Sequence, residues 1–191
     1  MFKLPIQNHY IRDRLSEHDF YKPLILEKIN QEKDPNLFDF KDGGENNISK
    51  LDWENHSDFD RPWVKQLLPT LIDKLAEMSH FIGYNGIALK AIWYQQYLKD
   101  SIHGWHVHSE NYTGVYYLEY PVNAPPTELW DNSLKIPEVS EGDVVMFPAM
   151  TPHRAPMVKN DIRKTIVSFN FNVIELNTKR LKEFKKIVNS T

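Results

Sequence analysis

The chain has 191 residues and no cysteine. That excludes disulfides, a cysteine-based zinc ribbon and a thiol nucleophile. It fits a reducing, cytoplasmic setting, which we expect, without requiring one. Long apolar runs are also missing. No stretch approaches the roughly 18 residues of a membrane span, so no membrane partner is expected. The opening "MFKLPIQNHYIRDRLSEHDF" lacks the continuous apolar core of a secretory signal. Basic charge is not in excess: 23 Lys and Arg stand against 26 Asp and Glu, for a net charge of -3 and a pI of about 6.2. Nucleic-acid-binding domains usually sit above roughly pH 9 on that scale, so nucleic acid is not the expected partner. Glycine is sparse, 7 residues against 12 prolines, so proline marks many of the turns.

What is present is a hydrophobic fraction of 41% with 13% aromatics, enough for a real core. At this length one domain is expected, spanning 1–191. Its first stretch, 1–86, reads as mainly helical or irregular support. Phe2, Leu4 and Ile6 alternate and predict a short extended piece. Leu24, Ile25, Leu26 and Ile29, after Pro23, predict a helix. Residues 31–60 are polar and read as irregular surface with short extended pieces. Leu67, Leu68, Leu71, Ile72, Leu75 and Met78 form an amphipathic helical stripe. Pro69 lies inside it, and either kinks one helix or opens a second. Gly83 and Gly86 end the region.

Residues 87–175 change character. "IALKAIWYQQYL", "GVYYLEYP", "DVVMFPA" and "KTIVSFNFNVIEL" are β-branched and aromatic, bounded by turn residues, and read as strands. "VNAPPTELWDNSLKIPEVSE" reads as a loop. Residues 176–191 return to helix, capped by Asn177 or Thr178, with Leu181, Phe184 and Ile187 inward. Its five basic residues read as a solvated face. Helices first and strands second imply an α+β class or a β-sandwich core with helical support.

The chemistry concentrates in "GWHVHSENYTGVYYLEYP" and "EGDVVMFPAMTPHRAP". Neutral imidazoles bind divalent transition metals. Residues i and i+2 of a strand share a face, so His106 with His108, or His108 with Glu110, can present two ligands to one ion. His153, where Pro148 and Pro152 end a strand, is the candidate third. His80 and His103 have no such context and read as surface or loop residues.

The run "WHVHSENYTGVYYLEYP…EGDVVMFPAMTPHRAP…RKTIVSFNF" resembles the Fe(II)- and 2-oxoglutarate-dependent dioxygenases. It is most similar to a bacterial and phage group carrying His-x-His and related to the prolyl-hydroxylase branch. The resemblance covers about residues 90–173. It implies a double-stranded β-helix, a jelly-roll barrel with supporting helices. It implies Fe(II) and 2-oxoglutarate, and hydroxylation of a C–H bond in a small-molecule or peptide substrate. It implies the metal set His106, His108 and His153, with a histidine at 108 where better-known members carry an acid. The alternative set is His108, Glu110 and His153. The cosubstrate's distal carboxylate needs a cation. Lys164 and Arg163 both qualify, and Lys164 is favoured because it turns Ser168 and Asn170 inward and the two Phe outward. The resemblance adds Tyr97 and Tyr117 as cosubstrate contacts. Arg154, Trp105, Ser168 and Asn170 are candidate pocket or substrate residues. Two rivals remain. A cupin-type metal protein matches the Pro148-to-His153 spacing but not the Gly104-to-His106 spacing. An inactive barrel binding module is the other. Oligomeric state is not legible.

Overall fold

The computed structural model describes residues 10–32 and 45–188. The extended piece expected at Phe2, Leu4 and Ile6 lies outside them. In chain order the elements are β1 (Ile11–Arg14), α1 (His18–Gln31), β2 (Asn46–Asn47), β3 (Lys50–Leu51), a 3-10 turn at Trp53–Asn55, α2 (Pro62–Phe81), β4 (Tyr84–Tyr97), β5 (Ile102–His106), β6 (Tyr112–Glu119), β7 (Glu128–Trp130), β8 (Leu134–Lys135), β9 (Asp143–Pro148), β10 (His153–Ala155), β11 (Lys164–Leu176) and α3 (Thr178–Val188). The class is α+β.

The strands form two antiparallel sheets. The larger runs β1-β9-β6-β11-β4-β3, the smaller β2-β5-β10-β7-β8. Strand pairing does not join them into a closed barrel among the described residues. The larger sheet is covered on both faces at its centre, so the first eight residues of β11, polar and apolar alike, are buried without interruption. One face carries Ile92, Tyr94, Tyr116, Val167, Phe169 and Phe171 and packs under the helices through Ile25, Leu67, Leu71, Leu75 and Phe184. The other carries Tyr97, Val115, Tyr117, Phe147 and Ile166 and packs against Leu129 and Ala155 of the smaller sheet. The candidate site lies between the sheets.

Several local expectations are corrected. Of the two alternatives at Pro69, the second helix is excluded: α2 is one helix from Pro62 to Phe81. Pro69 is exposed, and the carbonyl its missing N–H leaves free belongs to exposed Lys65 and meets water. The next strand begins at Tyr84 and runs through Gly86. Gly83, at φ +102, makes the reversal alone. The stretch read as a loop contains β7 and β8, too short to show a period. Ile187 is 50% exposed, and Phe184 does the anchoring. The cap of α3 is Asn177, whose Oδ1 accepts the Arg180 N–H at 3.1 Å.

One buried ion pair fixes the approach to the site. Asp52 pairs with Arg61. Its carboxylate also accepts the Tyr94 N–H at 2.7 Å and the Trp63 Nε1–H at 3.1 Å. The His56 carbonyl accepts the Ile92 N–H at 2.9 Å. Together these hold residues 52–61 against β4.

Gly114 is the most closely approached of the described glycines. A Cβ there would lie 2.4 Å from the Val145 carbonyl oxygen and 2.6 Å from the Phe169 ring. Gly114→Ala is expected to destabilise the protein by about 1–3 kcal/mol, the usual range for overpacking. Urea unfolding measures this, and an unchanged midpoint would contradict the packing described.

Candidate metal centre

His106 ends β5 and His153 begins β10, and the two are directly paired across the ladder. Opposed residues in an antiparallel pair point to one face, so their rings meet with centroids 4.2 Å apart. After His106 the chain leaves the sheet. The His108 N–H donates to the Ala149 carbonyl at 2.9 Å, which brings its ring 5.1 Å from both other imidazoles. One ligand nitrogen from each of His106, His108 and His153 lies within 4.8 Å of the others, and the group could hold a metal ion. Glu110 is outside that group. It sits in the turn before β6, where the two-residue strand period no longer operates.

The rings are prepared as donors. His106 Nδ1–H donates to the Gly104 carbonyl at 2.8 Å, and His153 Nδ1–H to the Thr151 carbonyl at 2.9 Å. A carbonyl only accepts, so each Nδ1 carries the proton and each Nε2 keeps its lone pair. Burial disfavours the charged form. It holds the His106 and His153 pKa values below the ordinary histidine range. The His108 value falls to about 4, through burial and then the neighbouring His106. Neutral imidazole is the ligating form.

The surrounding cavity is lined by Gln95, Tyr97, Thr113, Arg154, Ile166 and Ser168 besides the histidines. Lys164, Ile166, Ser168 and Asn170 share one face of β11, as strand alternation predicts. Lys164 is fully buried and pairs with Tyr97 across the β11–β4 ladder. Its Nζ donates to the Pro125 carbonyl at 2.9 Å and lies 4.6 Å from the Tyr97 ring centroid. No carboxylate among the described residues faces it. Burial alone pulls its pKa down to about 7. Arg163 points the other way and grips Glu119 bidentately, at 2.7 and 2.9 Å. Its charge is already met by that carboxylate, and it does not line the cavity.

The other expected residues divide. Tyr97 lines the cavity and donates to Gln95 Oε1 at 3.1 Å. Ser168 Oγ donates to the same oxygen at 3.2 Å. Tyr117 is buried behind the wall, its hydroxyl accepting the Thr127 N–H at 3.1 Å. Arg154 reaches the cavity while paired with Glu128 at 2.7 Å. Trp105 is not in the cavity lining. It lies 38% exposed under the Arg154 guanidinium, 4.8 Å away. Asn170 lines a separate open cleft, with Trp53, Lys90, Glu110 and Met150, and His108 touches both spaces.

His103 is the main correction. It lines the cavity and stacks on His106 at 3.9 Å. Three residues apart, the two should face opposite ways. The register shifts between His153–His106 and Ala155–His103, so β5 carries one extra residue and both rings reach one face. Gly104 inside a short strand was the available signal for such a bulge. Thr113, expected on the face of Tyr117 and Val115, lines the cavity. Gln95 was missed because a polar strand residue ordinarily faces water, and Thr127 because it lies in the loop before β7.

No protein-family model matches the sequence, and a search of curated proteins finds none similar to it. Solved structures do match. The viral collagen prolyl hydroxylase vCPH of Paramecium Bursaria Chlorella virus-1, as its 2OG complex, has a TM-score of 0.59 at 13% identity over 91% of this chain and 100% of its own. HygX from Streptomyces hygroscopicus, with nickel and 2-oxoglutarate bound, has a TM-score of 0.62 at 10% identity over 86% and 81%. A Trichoplax adhaerens prolyl hydroxylase, in complex with a hypoxia inducible factor oxygen degradation domain peptide fragment, has a TM-score of 0.57 at 15% identity over 93% and 87%. Many of the structural neighbours are 2OG-Fe(II) oxygenases, prolyl hydroxylases among them. At these identities the likeness is one of fold.

The lysine gives a test that needs no metal. A folded-state pKa of about 7 against the ordinary 10.5 means the unfolded chain binds the extra proton between those values. The Lys164 contribution to stability therefore rises with pH through that window. Lys164→Met removes it. The stability gained by that variant is expected to be largest at and below pH 7 and to shrink toward pH 10.5. Urea midpoints across pH measure the difference, and a pH-independent gap would show that the ammonium is not buried as described.

Proposed function

We propose that the protein is an Fe(II)- and 2-oxoglutarate-dependent oxygenase that hydroxylates a C–H bond of its substrate. The observation that carries this reading is the pairing, between the two sheets, of three convergent neutral imidazoles with a buried lysine that lacks a counter-ion. A metal accounts for the first and a dianionic cosubstrate for the second. In this reading the two sheets are the halves of a double-stranded β-helix. The whole chain is one domain, with 87–175 as catalytic core. The setting is the cytoplasm, and no helix among the described residues is long and apolar enough to cross a membrane.

His106, His108 and His153 would hold the iron through nitrogen alone, one negative charge fewer than a 2-His-1-carboxylate set. Bound iron and 2-oxoglutarate supply the oxidising chemistry, with succinate and carbon dioxide as the cosubstrate's products. The protein's part is orientation and exclusion of water. The carbonyls of Gly104 and Thr151 fix the His106 and His153 rings. Lys164 would meet the distal carboxylate of 2-oxoglutarate beside Tyr97, and that anion would restore the lysine's charge. Gln95, Ser168 and His103 would line the cosubstrate's sides. Arg163 is spoken for by Glu119.

Anaerobic addition of Fe(II) and 2-oxoglutarate is expected to give a visible absorbance band, and aerobic incubation is expected to give succinate. His106→Ala and His153→Ala should abolish both, and succinate from either variant would sink the assignment. Metal binding without either signal would favour the inactive module instead. Lys164→Ala should weaken 2-oxoglutarate binding by about 2–5 kcal/mol, the usual cost of truncating a buried charge partner, whereas Arg163→Ala should leave it within a few-fold. Titration of the band compares the two, and the reverse order would move the cosubstrate to Arg163.

A further inference from the structure

Two tryptophans join the candidate metal centre to the surface. Trp93, on β4, lines the cavity and is 3% exposed. Its ring lies 5.7 Å from that of His108. It also meets Trp53 edge to face, with centroids 4.6 Å apart. Trp53 is 40% exposed and lines the outer cleft. Its indole is fixed by the His56 ring, stacked on it at 4.3 Å. Asp52 beside it is anchored to β4 through the Tyr94 N–H. Neighbouring rings thus run from His108 through Trp93 and Trp53 to solvent.

The chain has no cysteine, so indole and phenol are the side chains that give up one electron most readily. Among the described residues two rings from outside the histidine group contact it, Trp93 at His108 and Phe147 at His153. Phe147 is buried, and its benzene ring holds its electrons far more tightly than an indole. Tyr97 lines the cavity too, but oxidising a phenol expels its proton. Its hydroxyl donates to the Gln95 amide oxygen, which is no base, and burial pushes its pKa up. An indole can lose an electron without first losing a proton. Trp93 is therefore the group from which an oxidant at the metal draws an electron most easily, and Trp53 is next in line. Trp105 and Trp130 are similarly exposed but line neither the cavity nor the cleft.

Resting on the oxygenase reading, we propose that Trp93 and Trp53 form an electron relay that discharges the metal centre when no substrate is oxidised. In such a turnover 2-oxoglutarate and dioxygen give succinate and carbon dioxide and leave two oxidising equivalents at the metal. Trp93 supplies an electron, Trp53 replaces it, and a thiol in solvent replaces that of Trp53. Two passages deliver two electrons. Two thiols become one disulfide and release two protons. Two protons taken up at the metal carry the remaining oxygen atom of dioxygen away as water. Without a thiol, Trp53 itself loses the two electrons and adds water with release of two protons, a net gain of one oxygen atom.

The test incubates the Fe(II)-loaded protein with 2-oxoglutarate in air, without substrate, with and without dithiothreitol. Peptide mass spectrometry maps oxygen gained by each side chain, per succinate formed. Without thiol, oxygen is expected on Trp53 and not on Trp105 or Trp130, and dithiothreitol should remove it. Trp93→Phe keeps a ring in the same place but breaks the relay, so Trp53 oxidation should be lost. Met150, 69% exposed in the same cleft, reports oxidant that escapes by diffusion, and its oxidation should not change. Trp53→Phe, at a half-exposed position, guards against misfolding at Trp93. It should move the oxygen to Trp93 and end the protection by dithiothreitol. Equal Trp53 oxidation in wild type and Trp93→Phe overturns the proposal, because diffusing oxidant would then suffice. So does an intact Trp53 in the wild type, oxidation of Trp130 on a par with Trp53, or a parallel fall at Met150 in Trp93→Phe. In those cases succinate is still formed. Absence of succinate from the wild type would instead overturn the oxygenase reading, and this proposal with it.

Discussion

The site depends on one ladder contact, the antiparallel pairing of His153 with His106. The two residues are far apart in sequence, and the ladder brings them together. The smaller sheet does it by register. A slip of one residue would turn either imidazole to the opposite face. The bulge beside that pair, and the departure of the chain after His106, then set everything local. His103 swings to the cavity side, and His108 is delivered by its own N–H bond to Ala149. The candidate metal centre is thus a property of strand pairing first and of residue identity second.

The larger sheet supplies the rest by a different rule. The first eight residues of β11 are buried on both faces, and the alternation of its sequence decides which side chain goes to which face. Phe169 and Phe171 go under the helices. Lys164, Ile166, Ser168 and Asn170 go toward the second sheet, with a lone cation at one end. A buried lysine without a carboxylate costs stability in the free protein. That cost is rational where a bound anion removes it.

Much of this was legible in the sequence because its causes are local. Helical periodicity marked α2 and α3, and β-branched runs marked β4, β6, β9 and β11. The two-residue period singled out His106, His108 and the inward row from Lys164. What stayed hidden depends on contacts between distant segments. The bulge that turns His103 inward is visible only once β5 is laid against β10. β7 and β8, of three and two residues, have no period to read. Gln95 reads as an exposed strand residue until Ser168 and Tyr97 are found on its carbonyl oxygen. The ion pair that occupies Arg163 involves Glu119, 44 residues away, which no local pattern could supply.

The most direct test of the account is an anaerobic crystal structure with Fe(II) and 2-oxoglutarate. The account predicts one iron bound by nitrogens of His106, His108 and His153 at about 2.0–2.2 Å, by analogy with other imidazole–metal bonds, and a 2-oxoglutarate carboxylate within hydrogen-bond distance of Lys164 Nζ. An iron bound by Glu110 in place of His106, or a cosubstrate held by Arg163 with the Glu119 pair broken, would contradict it.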